Sequence, residues 1–138
     1  MKTENFIGID VAKETFDTNM YGSTEVKHWQ YNERQIKKYV KELVRLSPEM
    51  IVLEATGGYE TRLATAILDA ELPVAVVNPR RVRSFAQAIG KLAKTDKIDA
   101  VVIAEFAAKI PQKGLEKITE SMLKVKSMVG RRRQLIEM

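Results

Sequence analysis

At 138 residues, 45% apolar and 30% charged, the chain has the size and make-up of one globular domain with a real core. No stretch nears the ~20 apolar residues of a membrane helix, and the opening MKTENFIGID lacks a signal peptide's apolar region, so a cytoplasmic protein with no membrane partner is expected. The chain has no cysteine and one histidine, His28, which excludes disulfides and thiolate sites and argues against a histidine-rich zinc centre, while its net charge of +5 admits a polyanionic partner.

The apolar run Asn5–Val11 reads as a buried strand. Thr15–Tyr21 and Thr24–Tyr31 alternate apolar and polar residues around Gly22-Ser23, a hairpin turn signal, so three antiparallel strands open the chain. Trp29 and Tyr31 read as packing residues and His28 as a strand surface residue. Asn32 with Gln35 forms a capping pattern before a helix that buries Ile36, Tyr39, Val40, Leu43 and Val44. Met50–Leu53 is a buried strand that ends at Glu54. Gly57-Gly58 turns the chain into a helix with Leu63, Ala64, Ile67 and Leu68 on one face, and Pro73–Val77 is a further strand.

Asn78-Pro79 is a helix start, with Val82, Phe85, Ala86 and Ile89 as the buried stripe and Arg80, Arg81 and Arg83 outside it. Thr95 is expected to cap the next helix, with Ile98, Val101, Val102, Ala104 and Phe106 inside, up to Pro111 and Gly114. Leu115, Ile118, Met122, Val125 and Val129 then recur at spacings of 3, 4, 3 and 4, a short heptad seam or an amphipathic helix of the same domain. The pattern runs to the last residue, as in the front part of a longer protein.

The order β-β-β-α-β-α-β-α-α implies parallel strands joined by helices, with the opening meander as an antiparallel edge. A mixed five-stranded α/β sheet covered by helices is the expected architecture. A domain over 1–110 and the start of a helical, coiled-coil linker over 111–138 follow.

Asp10 ends the first strand, and a lone buried carboxylate needs a partner or a cation. Glu54 ends the fourth strand; parallel pairing of the two strands brings both acids to one sheet edge. Asp96 and Asp99 are expected three apart in a first helical turn, sharing a face. Helix capping accounts for that pair taken alone. Taken with Asp10 and Glu54, a site for magnesium, with manganese as its substitute, accounts for all four. Two such ions about 4 Å apart suit phosphodiester cleavage.

Residues 1–69 hold 9 Lys/Arg and 11 Asp/Glu, whereas residues 70–138 hold 14 and 7. Between Pro79 and Thr95 lie Arg80, Arg81, Arg83, Lys91 and Lys94 with no acid, and Lys97 follows, a set that suits a nucleic-acid backbone or a solvated basic face. Gly57-Gly58 admits a phosphate approach, although a plain strand-to-helix turn explains it from spacing alone.

FIGIDVAKETFD (Phe6–Asp17), LEATGGYE (Leu53–Glu60) and VNPRRVRSFAQAIGKLAKTDKIDA (Val77–Ala100) resemble the N-terminal domain of the DEDD-type insertion-sequence transposases, relatives of the Piv/MooV DNA invertases. The resemblance covers nearly residues 5–110. It implies a ribonuclease-H-like, RuvC-like fold and a catalytic, metal-binding tetrad at Asp10, Glu54, Asp96 and Asp99. It also implies magnesium-dependent DNA strand cleavage and exchange in recombination of a mobile element, with a structured guide RNA and a homo-oligomer as partners. The family's second domain, with its nucleophilic serine, is not expected within these residues.

Two other readings compete. IGIDVAKETFD also looks like the phosphate hairpin of actin-like sugar kinases, but the second Gly-rich loop of such kinases is missing here. A non-catalytic nucleic-acid-binding module of the same fold would bind through Arg80, Arg81, Arg83 and the C-terminal bases, indifferent to magnesium.

Overall fold

The computed structural model describes residues 5–91, 93 and 96–115. Among the described residues, five strands form one sheet: β1 (Phe6–Val11), β2 (Thr15–Met20), β3 (Val26–Gln30), β4 (Met50–Glu54) and β5 (Val74–Val77). Four described helices cover it: α1 (Glu33–Leu46), α2 (Glu60–Asp69), α3 (Pro79–Ala88) and α4 (Ala100–Lys109). The spatial order is β3-β2-β1-β4-β5. The β1-β2-β3 meander is antiparallel, while β1-β4 and β4-β5 are parallel, as the element order implied.

The local chemistry explains the boundaries. Asn32 accepts a hydrogen bond from the Gln35 amide at 2.9 Å and starts α1. Asn78 accepts from the Arg80 amide at 2.8 Å, and Pro79 opens α3. Strand alternation sorts the core into two layers. Ile7, Ile9, Val11, Phe16, Ile51, Leu53 and Val74 pack on the α1/α2 side. Phe16 there gathers Trp29, Tyr31 and Tyr39, with ring centroids 5.6–5.9 Å away. Val52, Ala75 and Val77 pack on the other side, with Val82 and Ala86 of α3 and Ile103, Phe106 and Ala107 of α4.

Some expectations change: Val44 and Ile89, expected inside, are 53% and 39% exposed, and the start of the last described helix moves. The last described helix starts at Ala100, and Asp99 is its N-cap, accepting from the Val102 amide at 3.0 Å. An aspartate caps as well as a threonine, so the start moves toward the apolar stripe. That stripe is Ala100, Ile103, Ala104 and Ala107, which leaves Val101 40% exposed rather than inside. Thr95, Lys94 and the heptad seam beyond Leu115 lie outside the described residues.

Candidate active site

Asp10 and Glu54 reach the same place by register. The β1-β4 ladder pairs Ile9 with Leu53, so Asp10 and Glu54 stand side by side one step further on. Ile9 and Leu53 face the α1/α2 layer, and alternation turns both acids to the opposite face, toward α4. Asp10 is partly buried there. Burial, first, and the charges of Asp17 and Asp99 push its carboxyl above the ordinary range, against the pull of Lys97. Glu54 is also pushed up, by burial and then by Asp10, against Arg83 and Lys97. Glu54 Oε2 is buried without a hydrogen-bond partner. An oxygen in that state is costly unless a cation or donor meets it.

Gly8 brings the third acid to the site. It lies on the same strand face as Asp10, and α4 crosses directly over it. A Cβ at this position would lie 2.2 Å from the Ala104 nitrogen and 2.4 Å from the Ala100 oxygen. Only glycine permits that approach, which sets the first turn of α4 and Asp99 beside Asp10. Asp99 uses Oδ1 for its cap.

Asp96 is placed differently from expectation. Residues 96–99 precede α4 without helical structure, so Asp96 and Asp99 do not share a helical turn. The Asp96 side chain folds back within its own loop, where Oδ2 accepts from the Ala93 amide at 2.9 Å. That bond replaces the turn of helix expected there. Arg83 Nη1 donates to the Asp96 carbonyl at 2.9 Å and fastens the loop to α3. Among the described residues, no three histidine or acid side chains are gathered closely enough to grip one ion. Mutual repulsion of carboxylates favours that spread.

The basic residues divide. Arg83 and Lys97 act on the acids themselves. Arg80 and Lys91 are exposed. Arg81 lies over the Phe106 ring at 5.6 Å and donates to Gln112 at 3.3 Å.

Two further features escaped the sequence reading. Glu60 is buried, and its Oε1 accepts from the amides of Thr56 and Gly58 at 2.7 and 3.1 Å. The Gly57-Gly58 turn therefore gives an amide to its own glutamate, which disfavours the phosphate approach there. Burial opposes the Glu60 charge, but these bonds hold its carboxyl below the ordinary range. A lowered carboxyl stabilises the fold above its unfolded value and loses that contribution as pH falls through the folded value. Glu60→Ala is expected to lower stability by about 1–3 kcal/mol at neutral pH, and less in acid, in urea unfolding. The second feature is Asp17, directly opposite Asp10 in the β1-β2 ladder. Alternation from Phe16 predicts its face, but only the register names its neighbour.

A mixed five-stranded sheet in this order, flanked by helices on both faces, is a RuvC-like fold. The chain matches RuvC of T. thermophilus, solved in complex with a Holliday junction substrate, at a TM-score of 0.52 over 82% of this chain and 100% of that one. At 15% identity this likeness shows the fold. A family model described as a transposase, that of the DEDD transposases of the IS110 type, matches residues 7–138, and the chain belongs to that family. It is 31% identical over 122 residues to the pilin gene-inverting protein of Moraxella lacunata, covering 78% of this chain and 35% of that protein. It is 27% identical over 139 residues to the transposase for insertion sequence element IS1111A of Coxiella burnetii, covering 99% and 36%. The chain thus spans about a third of the length of these relatives. No described helix is long and apolar enough to cross a membrane.

Proposed function

We propose that this chain is the strand-cleaving domain of a transposase or site-specific recombinase of a mobile insertion element. Its substrate is DNA, and its cofactor is magnesium, with manganese as a substitute, held by Asp10, Glu54, Asp96 and Asp99. The observation that carries the reading is the Asp10–Glu54 pair: two adjacent raised carboxyls, with one buried oxygen left unpartnered. The donor set is all oxygen, which fits a hard divalent cation.

When bound, such a cation polarises a phosphodiester and activates a water. The chain's own residues do the rest. Asp10 and Glu54 form a rigid half of the site, because both sit in hydrogen-bonded strands. Asp99 is held by its cap and by α4. Asp96 joins by giving up the Ala93 amide, a local change of one loop. Arg83 and Lys97 balance the acids beforehand. Arg80, Arg81, Lys91 and Lys94 take backbone phosphates.

In this reading the domain ends near residue 110, and 111–138 begins a helical linker. A guide RNA and a homo-oligomeric assembly belong to the whole protein. A module that binds nucleic acid without cutting it is the alternative, and magnesium separates the two. Calorimetry of this chain with magnesium and manganese, alone and with a four-way DNA junction, is expected to show binding and metal-dependent nicking. DNA binding that is unchanged by either ion, with no nick, would leave the non-catalytic module standing.

A further inference from the structure

The acids belong to a longer row. In the β2-β3 ladder Asp17 pairs with His28, and in the β1-β2 ladder Asp17 pairs with Asp10. Directly opposed residues of an antiparallel ladder project to the same face. His28, Asp17, Asp10 and Glu54 therefore cross four adjacent strands on the face that α4 partly covers.

His28 Nδ1 lies 2.7 Å from Asp17 Oδ1. A carboxylate only accepts, so Nδ1 donates, and the imidazole plane is set by Asp17. The ring's other nitrogen points away from that bond, and the His28 side chain is 75% exposed. Two strand spacings, about 9.5 Å, separate its backbone from that of Asp10. A DNA strand with its scissile phosphate at Asp10 and Glu54 that runs along this row would bring a neighbouring phosphate over β2 and β3.

We infer that His28, oriented by Asp17, contacts a non-scissile phosphate of the DNA strand, extending the carboxylate site across β2 and β3. This rests on the strand-cleaving reading of Asp10 and Glu54. The two are separable by experiment, because His28 is no ligand of the ion and is a surface residue whose replacement leaves the core intact.

The test is fluorescence anisotropy of a labelled four-way DNA junction with this chain, with calcium as the hard divalent ion in place of magnesium, over a range of salt. All variants are compared at one mildly acidic pH. His28→Gln is expected to weaken binding about five- to tenfold and to make log affinity against log salt shallower by about 0.9, one phosphate contact. His28→Lys restores both. Asp17→Ala weakens binding, and adding His28→Gln to it costs little more, since the two act as one unit. Magnesium binding by calorimetry is unchanged in His28→Gln. Wild-type affinity and slope in His28→Gln overturn the inference, as does equal loss in the Gln and Lys variants. No junction binding by the unmodified chain overturns the DNA reading and this contact with it.

Discussion

Asp10→Asn is expected to abolish divalent-ion binding and strand cleavage while making the ion-free domain more stable. The two effects have one cause. Asp10 and Glu54 stand side by side on parallel strands; burial raises both carboxyls, and the charge of Asp10 raises Glu54 further. A raised carboxyl contributes stability below its unfolded value, about 4, and loses it as pH rises through the folded value. At neutral pH the pair is therefore a net cost to the ion-free fold. Asparagine keeps the shape and removes the repulsion.

Because Asp10 is only partly buried, the gain is small, a few tenths to about 1 kcal/mol. It should show as a higher urea midpoint at neutral pH and shrink toward pH 4, where the wild-type acids take up protons. The rate loss is much larger, on the order of 10³-fold, because the proposed site loses one of its four carboxylates. Calorimetry, urea unfolding and junction nicking read these three quantities. Unchanged ion binding in Asp10→Asn would remove Asp10 from the site, whatever the stability showed.

Gly8→Ala is expected to cost the most in stability. The added methyl would lie 2.2 Å from the Ala104 nitrogen, 2.4 Å from the Ala100 oxygen and 2.7 Å from the Ile103 carbonyl carbon. All three are backbone atoms, which cannot rotate away as a side chain can. Either β1 or α4 has to move, at about 3 kcal/mol or more. Because Asp99 caps α4, the same movement draws that carboxylate from Asp10, and ion affinity falls in whatever fraction stays folded. Gly114→Ala is the control. Its nearest neighbour would be the Val74 oxygen at 3.5 Å, an ordinary contact, so the variant should behave as wild type. Thermal unfolding followed by magnesium calorimetry separates the two effects, and a Gly8→Ala protein as stable as Gly114→Ala would mean that α4 does not hold this position.

Much of this fold is written locally. Asn32 and Asn78-Pro79 mark helix starts because the side chains that cap a helix sit next to the backbone they cap. The meander, the turn at Gly22 and the apolar strands β4 and β5 come from alternation and run length. The acids at Asp10 and Glu54 stood out for the same reason, as charges at the ends of apolar runs. The start of α4 was misplaced because Thr95, Asp96 and Asp99 are all competent caps. Local propensity does not rank them; the packing of Ala100 and Ala104 on Gly8 does.

The sequence by itself determined the element order, the mixed sheet and the two strand-end acids, because each depends on the chemistry of neighbouring residues. Its family resemblance added the tetrad as an expectation. Only the tertiary structure decided which side chains meet. Register put Asp10 beside Glu54 and aligned Asp17 and His28 with them, and it depends on pairings between residues tens of positions apart. Close packing over Gly8 placed Asp99 near Asp10, and the Ala93 and Arg83 bonds placed Asp96 in its loop. Those are long-range or loop contacts, which no periodicity in the chain records.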